Sequence, residues 1–267
     1  MIVGPRPSYA TGYASPLTGG MAYPHLWDGV VGAWCPSLGA TGETLRDLSG
    51  RHHHGTLTNF TFPDAWANPA GLTCDGTLDY VTAGFAGTGD EGTVSIWVKF
   101  NSLPSGSHAV FFSGGGTYVL INQIGDRVFW YWMTGSTTVT TSSVLQTGKW
   151  CHLLMTRRNG TLSGYINAEL VASDTSGATW TETTAEIGGW PGQSTRTVDG
   201  VVDDVLIYEQ PLMPSRISQL YRLGRAGIYQ RRLPLVLSEQ VVGGGSRHLI
   251  NGGLAQPAGR QGKGLIL

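Results

Sequence analysis

The stretch Val94-Ser95-Ile96-Trp97-Val98-Lys99-Phe100 decides the fold. In an extended chain Val94, Ile96, Val98 and Phe100 share one face, and Trp97 takes the other. The same habit recurs outward from it. Val110-Phe111-Phe112-Ser113 halts at Gly114-Gly115-Gly116 and resumes at Tyr118-Val119-Leu120-Ile121, and Val128 to Met133 is a further strand. Leu153 to Arg157 and Leu162 to Asn167 flank Asn159-Gly160, which supplies the two positive φ values of a type I′ hairpin turn. The next turn, Asn167-Ala168, lacks the glycine and is expected to be longer or of another type. Val201 to Tyr208 is expected to close the sheet. Helical spacing occurs at Pro214 to Tyr221, where Ile217, Leu220 and Tyr221 stand at i, i+3 and i+4, enough for one or two turns. No 20-to-50-residue repeat is visible. The expected fold is all-β, an antiparallel β-sandwich.

Composition agrees. Charged residues make up 13% of 267, while glycine numbers 40, as in many short strands joined by tight turns. Nine Trp and ten Tyr supply apolar area for a core. No run approaches the ~18 apolar residues of a membrane span, so membrane insertion is not expected. Met1-Ile2-Val3-Gly4-Pro5-Arg6-Pro7 lacks the basic start and apolar run of a secretion signal, which points to synthesis in a cytoplasm. Cys35, Cys74 and Cys151 are odd in number and far apart. They read as small buried hydrophobes rather than a disulfide framework, and no Cys–His spacing suggests zinc.

The chain divides into three. Residues 1–28, with four prolines and no periodicity, read as an extended arm. Residues 29–226 form the sandwich, with eleven Lys or Arg against sixteen Asp or Glu, a net charge of −5. Residues 227–267 are a Gly-rich basic tail, with nine Gly, five Lys or Arg and one Glu, a net charge of +4. Neither end can build its own core. Each is therefore expected to be loose or to order against a partner, with Tyr9, Tyr13, Leu233, Leu235, Val236 and Leu237 as the assembly contacts.

One ordered set of segments carries a resemblance. It runs from Val31-Gly32-Ala33-Trp34 through Thr44-Leu45-Arg46-Asp47-Leu48-Ser49-Gly50, His54-Gly55-Thr56-Leu57, Gly71-Leu72-Thr73-Cys74-Asp75-Gly76, Asp79-Tyr80-Val81 and Thr93 to Val98, ending at Gly200 to Tyr208. Over roughly residues 29 to 225 it resembles the laminin-G-like, concanavalin-A-like jelly-roll domains. That fold serves lectins, glycosidases, adhesins and virion proteins alike, so it speaks to architecture before function.

The resemblance implies a structural Ca²⁺ site. Asp47 and Asp203 match positions that often supply calcium oxygens, Asp204 stands where a Glu is frequent, and carbonyls around His54 to Thr56 would complete the shell. Read on the residues alone, Asp47 binds the Ser49-Gly50 turn and Asp203 is an exposed strand residue. His52-His53-His54 point to alternating faces and do not converge on one metal.

Glycoside hydrolysis needs paired carboxylates. The Glu-x-Asp-x-x-Glu pattern of the glucanase relatives is absent; Glu182 and Glu186 are four apart, with no third acid. No Gly-x-Ser-x-Gly elbow occurs. Phe129-Trp130-Tyr131-Trp132 with Trp180 and Trp190 suggests a sugar-stacking platform, with Trp130, Trp132, Trp180 and Trp190 as glycan-binding candidates, against the reading that they fill the core. The acidic body disfavours nucleic acid.

The expected function is a non-catalytic virion structural protein, a capsid decoration protein exposing a laminin-G-like sandwich on the virion surface. Its partners would be a capsid protein or neighbouring copies of itself, with surface glycans a further ligand. The motif set and the phrase Arg6 to Ala14 resemble proteins encoded in bacteriophage structural regions. The alternatives are a carbohydrate-binding adhesin and a glycoside hydrolase.

Overall fold

The computed structural model describes residues 24–68, 71–114, 118–132, 139–140, 145–175 and 179–230. Two antiparallel sheets face each other. The first orders β1 (Val30–Trp34), β15 (Asp199–Tyr208), β6 (Gly92–Phe100), β11 (Trp150–Arg158), β12 (Thr161–Ile166) and β13 (Glu169–Thr175), with β4 (Leu72–Asp75) also pairing with β15. The second orders β10 (Val139–Thr140), β9 (Arg127–Trp132), β8 (Tyr118–Ile124), β7 (Ser107–Gly114), β14 (Thr184–Ile187), β5 (Tyr80–Gly84), β3 (Gly55–Thr58) and β2 (Thr44–Leu45). The all-β sandwich is therefore as the alternation predicts.

The strand that decides the fold lies at the centre of the first sheet. Val94, Ile96, Val98 and Phe100 are buried between the sheets. Trp97, on the other face, stacks on Tyr221 with ring centroids 5.6 Å apart and lies 5.0 Å from the ring of His152. Beneath the same cover Ser95 Oγ and His152 Nε2 are 2.8 Å apart. Burial lowers the imidazole to about 3, with Asp204 opposing the shift, so His152 is neutral in the fold.

That cover is α1 (Pro214–Gln230), which buries Ile217 and Leu220 against Leu154, Leu206 and Tyr208. It is longer than the one or two turns expected, and it crosses the 226/227 boundary drawn between sandwich and tail. Within it Gly224 lets the helix lie close on the first sheet, since a side chain there would strike the Trp97 indole. The glycine is a packing requirement at that position.

Three further features bear on the sequence reading. Asn159 and Gly160 have φ of 48° and 75°, as a type I′ turn requires. Asn167 and Ala168 also have positive φ, 53° and 68°, so the second hairpin is equally tight, contrary to expectation. Asn167 compensates by accepting the His152 N–H at its Oδ1 (3.0 Å) while its own N–H donates to His152 O (2.9 Å). The strand expected to close the sheet, β15, is instead internal, between β1 and β6. Cys35, Cys74 and Cys151 are buried thiols outside any disulfide, as expected, and burial pushes the Cys151 thiol up to about 12.

The sheets lock together where Trp130 of β9 crosses to β12. A Cβ on Gly164 would lie 2.6 Å from Trp130 Cδ2, so the indole occupies the space a side chain would take. The expected arm contacts Tyr9 and Tyr13 and the tail contacts Leu233, Leu235, Val236 and Leu237 lie outside the described residues.

Candidate functional site

Asp47 follows the edge strand β2 and organises the loop to β3. Its Oδ1 accepts the N–H groups of Ala33 (3.0 Å) and Ser49 (2.9 Å), and its Oδ2 accepts the His53 N–H (2.8 Å) and the Ser49 hydroxyl (2.8 Å). Its own N–H donates to His54 Nδ1 (3.1 Å). Four donors occupy the lone pairs of one carboxylate, which does not leave Asp47 fitted as it stands to bridge an ion. Asp203 and Asp204 are both fully buried, not exposed, and Asp203 Oδ1 accepts the Ser37 N–H (3.1 Å). Asp204 has φ +46° at a bulge where the ladder to β6 jumps from Asp203 to Leu206. Among the described residues, no three His, Cys, Asp or Glu side chains are grouped to hold a metal. His52, His53 and His54 wrap the Asp47 loop and do not share a ligand position.

The tryptophan expectation needs correction. Trp130, Trp132 and Trp180 are at most 1% exposed and lie in the core between the sheets. Trp180 donates its Nε1–H to Ser113 Oγ (2.9 Å) and meets Trp132 edge-on. No sugar can stack on them. Trp190 alone of the four lies on the outer side of the second sheet, half-buried, its ring stacked on Phe112 at 4.2 Å with the Arg196 guanidinium 4.8 Å from its centre.

Pairing register shows what surrounds it. Ala185 and Ile187 of β14 point inward, so Glu186 points outward. Directly paired residues then form one row across seven strands: Tyr131, Leu120, Phe112, Glu186, Thr82, Thr56 and Thr44. The row begins aromatic and apolar, passes a carboxyl, and ends in three threonines. In β9 the alternation gives the outer face to Phe129 and Tyr131, so sequence reasoning took the wrong members of the aromatic run. Asn122 and Ser107 are joined on the same sheet, the Asn122 amide donating to Ser107 Oγ (2.8 Å).

Glu186 is the titratable centre of this face. It is 4% exposed, and its Oε2 is buried without a hydrogen-bond partner among the described residues. Burial pushes its carboxyl up to about 7; Thr184 opposes the shift and Glu182 adds to it. Leu120 and Phe112 are likewise at most 6% exposed, so the face offers solvent the half-buried Tyr131 and Trp190 and the threonine hydroxyls, with the acid secluded between them.

Comparison with known proteins supports the architecture. Domain 4 of AbnA, a GH43 extracellular arabinanase from Geobacillus stearothermophilus, solved in complex with arabinotriose, superposes with a TM-score of 0.58 at 19% identity, covering 72% of this chain and 98% of that one. Trypanosoma rangeli sialidase with 2,3-difluorosialic acid gives 0.61 at 22% identity, with 80% of this chain and 36% of the sialidase covered. The botulinum neurotoxin serotype D binding domain gives 0.57 at 14% identity, covering 73% and 51%. These likenesses show a fold shared with carbohydrate-active and binding proteins. No curated protein matches the chain. Residues 75–218, over half of the 267, match the family described as the Concanavalin A-like lectin/glucanases superfamily. With that match and the two-sheet jelly roll, the chain belongs to the Concanavalin A-like lectin/glucanases superfamily.

Proposed function

We propose that this chain is a non-catalytic glycan-recognition sandwich displayed on a virion surface. The row from Tyr131 to Thr44 carries the recognition half: its half-buried Tyr131, with Trp190 beside it over Phe112, supplies aromatic faces and its three threonines supply hydroxyls, while Leu120, Phe112 and Glu186 between them are buried. Sugars present apolar C–H faces and hydroxyl edges to such a surface. The arabinotriose held by the AbnA domain is a precedent for ligand binding by a module of this fold. The non-catalytic half rests on Glu186, whose Oε2 is closed to solvent and cannot meet a glycosidic oxygen as it stands. The display half rests on the resemblance to bacteriophage structural proteins and on two flanking segments unsuited to cores of their own.

A glycan array tests recognition. The full chain retains a defined glycan subset, and Tyr131→Ala with Arg196→Ala loses it without a change in melting temperature. Absence of retention by the wild type removes this half. Release of sugar from any retained polymer, abolished by Glu186→Gln, would establish the hydrolase instead; the raised Glu186 carboxyl beside Glu182 is what favours that rival. Mass spectrometry of purified phage particles tests the display half, which fails if the chain is absent from them.

A further inference from the structure

The outer face of the first sheet is closed by α1, and the way the helix is fastened differs along its length. Helical hydrogen bonds close within the helix itself, so side chains hold it to the sheet. Ile217 and Leu220 are buried there, and Tyr221 lies on the rings of Trp97 and His152, at 5.6 and 6.0 Å between centroids. Gln219 Oε1 meets His25 Nε2 (2.8 Å), and Arg216 Nη2 reaches Asp28 Oδ2 (3.4 Å), a partly exposed pair worth little. The segment just before the helix is pinned more firmly. Thr93 of β6 donates its hydroxyl to Gln210 O (3.0 Å) and accepts the Leu212 N–H (2.9 Å), while Arg158 donates Nη2–H to Pro211 O (2.9 Å). The next residue, Met213, is 51% exposed. A pivot therefore lies at Met213 and Pro214, between a pinned lead-in and a helix held by side chains.

What the helix covers is poorly matched. His152 Nδ1, Trp97 Nε1 and Tyr208 Oη are sealed from solvent and have no hydrogen-bond partner among the described residues. All three lie beneath α1: His152 against Tyr221, Trp97 Nε1 facing Gly224, and Tyr208 packed with Ile217 and Leu220. Each such atom costs the closed state a hydrogen bond that water supplies once the helix lifts. A helix held by few contacts over unmatched groups belongs to the low-stability end of a fold.

The imidazole gives the opening a direction. Ser95 and Trp97 of β6, Asp204 of β15, Asn167 of the β12–β13 turn and Tyr221 of α1 surround it. Ser95 Oγ occupies Nε2. Asp203, paired with Trp97, accepts the Ser37 N–H. Arg216 reaches Asp28, and Arg222 of the same helix is exposed. Tyr165 and Tyr208 on the covered face are raised by burial and stay neutral. Asp204 favours a charged ring, but burial outweighs it. A proton on Nδ1 would be a donor with nothing to receive it while the helix is closed.

We infer that α1 is an acid-released cover, hinged at Met213, that lifts from the first sheet as a unit and is kept from reclosing when His152 takes a proton at Nδ1. The apolar face it uncovers holds Trp97, Leu154 and Leu206. The device sits on the opposite sheet from the aromatic row and does not depend on it.

Hydrogen exchange of the full chain, read by mass spectrometry as protection relative to the intrinsic rate, tests it. Between about pH 7.5 and about pH 5, protection of α1 falls about 30-fold while β6, β11 and β15 keep theirs, the factor by which a freed imidazole of ordinary pKa favours the open form. His152→Gln keeps the helix protected and abolishes the fall. Gly224→Ala, whose new methyl meets the Trp97 indole, holds the cover off: α1 loses protection at both pH values and the strands do not. Helix and strands losing protection together, in acid or in Gly224→Ala, overturns the cover. Protection of α1 that is indifferent to pH, or a fall that persists in His152→Gln, overturns its release by acid.

Discussion

Two rows of side chains cross the second sheet one residue apart. The inner row runs Trp130, Ile121, Phe111, Ile187, Val81 and Leu57, every member buried. The outer row runs Tyr131, Leu120, Phe112, Glu186, Thr82, Thr56 and Thr44. Backbone, register and hydrogen bonding are common to both. The inner row must be apolar along its whole length because the first sheet closes it off. The outer row is buried at Leu120, Phe112 and Glu186 and opens to solvent at its two ends, changing character at the carboxyl. One strand set thus specifies a core and a surface chemistry, and the two can vary independently.

The sharpest way to break this contrast is to truncate neighbours in β9. Trp130→Ala should cost about 3–5 kcal/mol, as for other large aromatics lost from cores. Tyr131→Ala, half-buried on the other face, should cost about 1 kcal/mol or less. Urea denaturation of the two variants measures both. Equal losses would mean that Tyr131 is core as well.

Glu186 sets the next effect. Its folded carboxyl is raised above its unfolded value, so between about pH 4.5 and 7 the folded state binds more proton than the unfolded one. Stability contributed by the protonated form is complete below that window and is lost as pH rises through it, by about 3 kcal/mol. Asp79, raised to about 6 mainly by burial, acts with the same sign; His152, lowered to about 3, acts with the opposite sign at lower pH. Glu186→Gln isolates the term. The variant should match the wild type at pH 4.5 and exceed it at pH 8, and parallel stability curves would show that Glu186 is not buried as described.

The smallest expected effect lies beyond the Thr44 end of the outer row, in the Asp47 loop. Because protein donors already fill the Asp47 carboxylate, millimolar Ca²⁺ should shift the melting temperature by less than about 1 °C, well under 1 kcal/mol. A rise of several degrees, lost in Asp47→Asn, would instead establish a calcium site built on that loop.

The alternation at Val94 to Phe100 and the Asn159-Gly160 turn made the sandwich legible, because period and turn chemistry are local. The Asp47 turn was legible for the same reason. Helix length was not, since the apolar spacing at Ile217, Leu220 and Tyr221 marks only the turns that pack on the sheet, while α1 runs on to Gln230. Nor was the outer row: alternation says that Tyr131 and Trp130 oppose each other, but which faces solvent depends on the other sheet.

The contact of Gly164 with Trp130 has a historical consequence. Gaining a side chain at the first forces the indole out, and losing the indole leaves the glycine facing a hole. Either change by itself should cost stability, so the two positions are expected to vary together. Lineages that exchange the tryptophan should carry a compensating larger residue at position 164, a paired substitution spanning the two sheets.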